Sequence, residues 1–261
     1  MFRSTRAEDS RNYTDEPEVA MASTRIAEPT RSGPHPVTER SAPAAEAHPR
    51  ELRTAGLLLS LAGIGILMGS ITAEALYPAM FTTHTNTLSH LGASEPPDSV
   101  VLQPSAAIFD LTMVVTGAII LAAARYLHRA LGRKGVTIPL TLLGAGVLGV
   151  GVFPLNHLAP HTIFALLAFV AGGVGVITAS RITETPFRWL WTILGMVSLV
   201  AITLGIFFLE WGPVAELGEG GIERWNAYPV VLWLVAFGSY LMAKAGEPRR
   251  PEETDGAHHD R

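Results

Sequence analysis

The stretch TAGLLLSLAGIGILMGSITAEAL, residues 54–76, contains one charged side chain, Glu74, in an otherwise apolar and small-residue run. At about 1.5 Å per residue, a helix of this length crosses about 30 Å of hydrocarbon. A helix is required because lipid offers the backbone no hydrogen-bond partners, whereas a helix satisfies its own N–H and C=O groups. The stretch therefore predicts a transmembrane helix.

Further apolar runs of similar length follow along the chain. Hydrophobic residues make up 48% of its 261 residues and charged residues only 16%, which is unusual for a soluble domain. The runs lack the strict alternation of a membrane β-barrel. The sequence therefore predicts an all-α, six-transmembrane-helix bundle over residues 51–245, with spans near 54–76, 103–127, 136–155, 158–180, 188–209 and 225–243.

The distribution of lysine and arginine predicts the orientation of this bundle, because cytoplasmic loops accumulate these residues. The connections at 77–102, 156–157 and 210–224 contain one basic residue, Arg224. The opposite ends of the spans carry Arg50, Arg53, Arg125, Arg129, Arg133, Lys134, Arg181, Arg188, Lys244, Arg249 and Arg250. We therefore expect a multi-pass protein of the cell membrane with both termini in the cytoplasm.

Residues 1–50 and 246–261 differ in composition from the apolar part of the chain. They are rich in polar, charged and proline residues and lack an apolar period, which predicts disordered cytoplasmic tails. The first apolar run is also too long for a cleaved secretory signal. The chain has no cysteine, so disulfides and thiol-ligated metals are not available to it.

Glycines inside the spans predict where helices pack closely, since small residues let two backbones approach in lipid. Gly65 and Gly69 lie four residues apart in the first span, and the third and fourth spans contain LLGAGVLGVGVFPL and FVAGGVGV. We therefore expect the first, third and fourth helices to pack against one another.

The polar stretch FTTHTNTLSHLGASEPPDS, residues 81–99, separates the first two spans and contains no lysine or arginine. Unsatisfied backbone groups are costly near the hydrocarbon, and Asn, Thr and Ser side chains can satisfy them. The stretch is therefore either a packed plug that satisfies its own polar groups or a cover over a cavity between the helices. The sequence leaves both alternatives open.

Asp110 lies about 10 Å into the second helix if that helix begins near Pro104. A carboxylate exposed to lipid at this depth is expensive, so the side chain must face a partner or water. The expected partners are His161, Arg224, or the hydroxyl and amide groups of TNTLSH. A structural hydrogen bond between helices is an equal alternative to a functional role.

Polar residues at the outer ends of the spans form the candidate binding site. They indicate a cavity that receives a small molecule or a lipid headgroup. Glu223 and Arg224 alternatively form only an ion pair that anchors the sixth helix. The predicted ligand-binding set is Asn86, Ser89, His90, Asp110, His161, Glu223 and Arg224.

A metal site is the alternative interpretation of the same region. In HLAPH, His157 and His161 have the i, i+4 spacing that places two imidazoles on one helical face. Pro160 weakens this interpretation because proline favours the first turn of a helix, which would leave His157 in the preceding loop. The alternative ligand set for zinc is His90, Asp110, His157 and His161, with an activated water beside Ser89.

That alternative loosely resembles the membrane-embedded ceramidase-like hydrolases, and the resemblance implies serine, aspartate and three histidines at the membrane boundary. Their serine stands four residues before a histidine, whereas Asn86 occupies that position relative to His90 here.

A fuller resemblance covers about residues 54–245. The segments YPAMFTTHTNTLSHLGA, FPLNHLAPH and GGIERWNAYPVVLW resemble the bacterial and archaeal polytopic family catalogued as domain of unknown function 998. The most specific part is the aromatic-proline pair followed by Asn-Thr-Leu-Ser-x-Leu-Gly, with the Glu223-Arg224 pair as a second, shorter signature. The resemblance implies six helices and a membrane location, and it carries no activity.

These patterns rank three functional classes. They favour a ligand-binding or structural membrane protein over an enzyme, here a metal-dependent hydrolase at the outer interface. A transporter ranks third, because the cytoplasmic half of the spans offers only Ser and Thr as polar residues and no charge to form a relay. The expected partner is membrane lipid. No cofactor and no nucleic acid are predicted, and the oligomeric state is not indicated.

Overall fold

A computed structural model describes residues 48–247. The predicted disordered tails, 1–50 and 246–261, lie almost entirely outside the described residues. Within that range, six helices are long and apolar enough to cross a membrane, which confirms the predicted all-α fold and its six spans. The helices are α1 (Pro49–Ala75), α2 (Ser105–Leu131), α3 (Lys134–Val152), α4 (Leu158–Ala179), α5 (Phe187–Phe207), the short α6 (Gly212–Ala215) and α7 (Gly218–Gly246).

The last long helix begins earlier than the apolar pattern predicts. Its expected start at residue 225 follows the hydropathy, but α7 starts at Gly218, where a φ of 68° suits glycine. The additional helical turns contain Glu223 and Arg224, whose polar groups bind the loop between α1 and α2. Apolar patterning misses these turns of α7 because Glu223 and Arg224 are polar, and their hydrogen-bond partners lie in a segment that is distant in sequence.

The long helices pack around the bundle in chain order. Each helix from α1 to α4 contacts its successor, α5 contacts α7, and α7 closes the bundle against α1. The predicted contact between the third and fourth spans is confirmed, with Gly149 of α3 facing Phe164 of α4. The predicted contact of the first span with these two is wrong. Gly65 and Gly69 instead face Thr116 and Thr112 of α2, which is the neighbour of α1 in the bundle.

The helices divide their surfaces between the core and the exterior. The largest fully buried side chains are Trp191, Trp233 and Phe237, and the last two stack with ring centroids 5.1 Å apart. Large apolar side chains also cover the outside of the bundle, for example Ile193 and Met196 on α5. This distribution suits a helix bundle surrounded by lipid, where packing rather than water exclusion holds the helices together.

Candidate functional site

The stretch 81–99 lies across one end of the bundle. It contains a short 3₁₀ helix, Leu88–Leu91, whose Leu88 and Leu91 side chains are buried in the core. The Ser105 hydroxyl at the start of α2 donates to the Leu91 carbonyl at 3.1 Å. The backbone N–H of Gly220 in α7 donates to the His84 carbonyl at 3.1 Å. The loop is thus packed on the helices, as both sequence alternatives require.

Arg224 connects this loop to two helices. Its Nη1 donates to the carbonyl oxygens of Thr83 at 3.3 Å and of Asn86 and Gly220 at 2.9 Å. Its Nη2 lies 3.3 Å from Oε2 of Glu74 near the end of α1. The alternative in which Glu223 and Arg224 form only an ion pair is therefore corrected, because Arg224 pairs with Glu74 of α1.

Glu223 holds the loop from the neighbouring position on α7. Its Oε2 accepts a hydrogen bond from the Leu88 backbone N–H, and its Oε1 lies 3.3 Å from the Ser89 hydroxyl. Leu88 and Ser89 begin the 3₁₀ helix, where backbone N–H groups have no partner within the helix. Glu223 thus fixes the position of the segment that carries Ser89.

His161 reaches Ser89 from the first turns of α4. Its Nδ1 lies 2.7 Å from the Phe153 carbonyl, which can only accept, so Nδ1 carries the proton. In the neutral imidazole this leaves a lone pair on Nε2, which lies 3.0 Å from Ser89 Oγ. The serine proton therefore has two acceptors, the nearer His161 and the more distant Glu223. Ser89, His161 and Glu223 are hereafter the rim cluster.

A cavity of about 90 Å³ lies inside the bundle directly below the rim cluster. Its polar lining residues are Ser70, Ser89 and Glu223, which all lie at the loop end. Glu223 and Leu234 both line it, so it extends about 16 Å along α7 at about 1.5 Å per residue. The rest of its wall is apolar and includes Ile66, Phe109, Met113, Val147, Ala168 and Val231.

A second space of about 240 Å³, hereafter the lateral cleft, lies between α4, α5 and α7. Thr87, Glu219 and Asn226 contribute its polar lining. It shares Phe169 and Glu223 with the inner cavity, so these two side chains form the wall between the two spaces. The cleft thus provides an approach to the rim cluster from the side of the bundle.

The remaining predicted loop residues have local roles. The Asn86 side-chain oxygen accepts from the Thr82 backbone N–H at 3.0 Å and closes a turn. His90 Nδ1 accepts from the Thr87 backbone N–H at 3.0 Å and lies 2.7 Å from its hydroxyl, which caps the 3₁₀ helix. Neither side chain lines the inner cavity.

Asp110 does not make the contacts expected of it. Its Oδ1 is buried and has no hydrogen-bond partner among residues 48–247, so the predicted pairing with His161, Arg224 or TNTLSH is corrected. A Cβ added to Gly92 would lie 2.5 Å from this oxygen, so the carboxyl group lies beneath the loop rather than in lipid. The correction has a simple cause, since His161 and Arg224 are already satisfied by other groups.

The residues of the alternative zinc site do not come together. Across the described range, no group of three His, Cys, Asp or Glu side chains is placed to ligate one ion. His157 is exposed at the residue before α4, as Pro160 in the first turn predicts, while His161 is buried against Ser89. The i, i+4 spacing does not place the two imidazoles on one helical face because α4 begins after His157.

Several residues that shape this region are absent from the predicted binding set. Glu74 carried a usable signal, since it is the one charge in the first span. Asn226 is buried and donates from Nδ2 to the Ser198 carbonyl at 2.8 Å. Its signal in the sequence was comparable, since it is a polar residue inside an apolar span and follows the Glu223-Arg224 pair closely. Phe153 contributes a backbone carbonyl, and a backbone carbonyl has no signature in sequence.

Comparison with known proteins gives one positive finding. A family model described as "Protein of unknown function (DUF998)" matches residues 60–240. No curated protein and no solved structure matches the chain.

Proposed function

The chain belongs to the DUF998 family of proteins of unknown function, and from this premise we propose that it is a multi-pass membrane protein that binds an amphipathic, lipid-like molecule. The apolar part of the ligand occupies the inner cavity. Its polar end meets the rim cluster and extends into the lateral cleft.

The observation that carries this proposal is the one-sided polarity of the inner cavity. Ser70, Ser89 and Glu223 lie at its loop end, and apolar side chains line the rest. Ligand sites typically combine an apolar wall with a few convergent polar groups that fix the orientation of the ligand. An amphipathic molecule matches this arrangement better than a free ion or a fully polar solute does.

The sizes of the two spaces support the same ligand class. The inner cavity of about 90 Å³ accepts part of an alkyl chain. The cleft of about 240 Å³ brings the combined space close to the lower limit of about 300 Å³ that is typical of small-molecule sites. Movement of the Phe169 side chain would join them.

We also propose that the rim cluster faces the exterior of the cell membrane and that both termini are cytoplasmic. Basic residues gather at the ends of the spans opposite the loop, for example Arg129 in the last turn of α2 and Arg133 just before α3. Cytoplasmic loops accumulate such residues. The ligand would then come from the outer leaflet or from the exterior.

Mass spectrometry of molecules that co-purify with the protein tests the binding proposal. Ala227 lines the inner cavity one turn below Glu223, so Ala227→Phe should fill the cavity and reduce bound lipid several-fold. Leu232→Phe on the exposed face of the same helix is the matched control and should leave it unchanged. Equal amounts of bound lipid in folded wild-type and Ala227→Phe protein would contradict the proposal.

A further inference from the structure

We infer that the rim cluster is a catalytic site in which Ser89 is the nucleophile and His161 the general base for hydrolysis of an acyl ester. This inference rests on the proposed function, since the bound amphipathic molecule is its substrate. The substrate class is a lipid or smaller ester whose acyl chain enters the inner cavity.

The geometry of Ser89 and His161 is that of an activated nucleophile. Ser89 Oγ lies 3.0 Å from His161 Nε2, within the range expected of a nucleophile and its base. The Phe153 carbonyl, 2.7 Å from Nδ1, fixes the orientation and tautomer of the ring. A nucleophile, a base and a group that orients the base are the parts by which such a site is recognised.

The position of Ser89 suits an acyl substrate. Its side chain lies at the polar end of a cavity that is apolar below, so a chain inserted there brings its ester group to the serine. The lateral cleft beyond Glu223 leaves space for the alcohol part of the ester. Ser70 also lines the cavity, but its Oγ has no hydrogen-bond partner in the described part of the chain and therefore no base.

The reaction follows from these groups and water. Ser89 Oγ bonds to the carbonyl carbon while its proton moves to His161 Nε2. The ester C–O bond then breaks, and the leaving oxygen takes that proton and departs as an alcohol. Water next attacks the acyl carbon and gives one proton to Nε2. Breakage of the Oγ–acyl bond releases the fatty acid, and the proton returns to Ser89.

Glu223 acts in this scheme as a positioning residue. Its carboxyl group binds the Leu88 backbone N–H and contacts the Ser89 hydroxyl, so it holds the 3₁₀ helix that presents the serine. It contributes no bond to the acyl group.

An alkyl fluorophosphonate, which forms an Oγ–P bond with activated serines and releases fluoride, tests the inference on full-length protein in lipid nanodiscs. Peptide mass spectrometry should locate one adduct on Ser89 and none on Ser70. Ser89→Ala should abolish the adduct, and Ser239→Ala, at an exposed position of α7 that does not line the cavity, should leave it unchanged. Loss of a general base typically costs about 10²–10⁴-fold in rate, so His161→Gln should slow labelling by about that factor.

A second measurement uses wild-type protein alone, in case the His161 variant does not fold. An octyl probe should label Ser89 at least tenfold faster than an ethyl probe, because only the longer chain occupies the cavity. Equal labelling rates for the octyl and ethyl probes, or the absence of an adduct on Ser89, would overturn the catalytic inference. If the catalytic inference fails in this way, co-purified lipid in the same unlabelled sample would show that the binding proposal still holds. Failure of catalysis and failure of binding are therefore distinguishable.

Discussion

Arg224 shows how a single residue holds the loop on the bundle. Only 8% of its surface is exposed, and its guanidinium binds three carbonyl oxygens and one carboxylate. Arginine suits this role because its planar group presents several N–H donors in fixed directions. A lysine ammonium has fewer donors around a single point.

Replacement of Arg224 should therefore destabilise the protein strongly. Arg224→Ala leaves Glu74 without its ion-pair partner and the Thr83 and Asn86 carbonyls without this donor. About a third of the Glu74 side chain is exposed, so we expect a loss of about 1–3 kcal/mol, the usual cost of polar groups left without a partner. Arg224→Lys should lose less. Unfolding midpoints in detergent would measure both variants. Arg181→Ala, at an exposed arginine, is the control, and an equal loss there would contradict the expectation.

Glu223 provides a second test at the residue scale. Glu223→Leu removes the acceptor of the Leu88 N–H, and a buried donor without a partner costs about 1–3 kcal/mol. Glu223→Gln keeps a side-chain oxygen and should lose clearly less. Unfolding measurements on the pair separate hydrogen bonding from bulk. Equal stability of the Leu and Gln variants would show that this bond does not hold the loop.

At the residue scale, the sequence predicted the residues of the site but not the contacts between them. Ser89, His161 and Glu223 were all predicted site residues, because polar groups at the edge of a span need partners or a function. Their arrangement was not predictable. The expected partners involved Asp110, whereas the structure joins His161 to Ser89 through Nε2 and to Phe153 through Nδ1.

At the scale of helices, glycine sets the distance between α1 and α7. A Cβ on Gly56 would lie 2.5 Å from the Gly238 carbonyl oxygen, and a Cβ on Gly238 would meet the Gly56 carbonyl. Backbone atoms cannot yield as flexible side chains do. The two helices therefore approach closely only while both positions lack a side chain.

Gly56→Ala should force these helices apart. Overpacking of a tight contact typically costs about 1–3 kcal/mol, and we expect a loss in this range. Gly135→Ala in α3 is the matched control, because no atom lies within 4 Å of its added Cβ. Alanine there should be neutral or raise stability by about 0.4–1 kcal/mol. Thermal unfolding of both variants provides the comparison, and a greater loss for Gly135→Ala would refute this account.

For the whole molecule, the absence of cysteine makes the topology directly testable. Asp98 in the loop and Gly135 at the start of α3 are both exposed and lie near opposite ends of the bundle. A membrane-impermeant maleimide should label Asp98→Cys in intact cells and Gly135→Cys only after permeabilisation. The cysteine-free parent is the control. The reverse pattern would contradict the orientation predicted from the basic residues.

The sequence by itself determined the six helices and their approximate ends. The reason is local: in lipid each span must satisfy its own backbone, so a run of apolar residues of sufficient length can form only a helix. The predicted start of the last span was wrong because a different segment of the chain satisfies the polar groups of Glu223 and Arg224 in the first turns of α7.

Only the tertiary structure decided which polar groups meet. The pairing of Arg224 with Glu74 and of Ser89 with His161 depends on how the loop folds back and how each helix rotates about its axis. Those choices minimise the free energy of many distant contacts together, and no short stretch of sequence encodes them. The inner cavity has the same origin, because it is the space left between α1, α2, α3, α4 and α7.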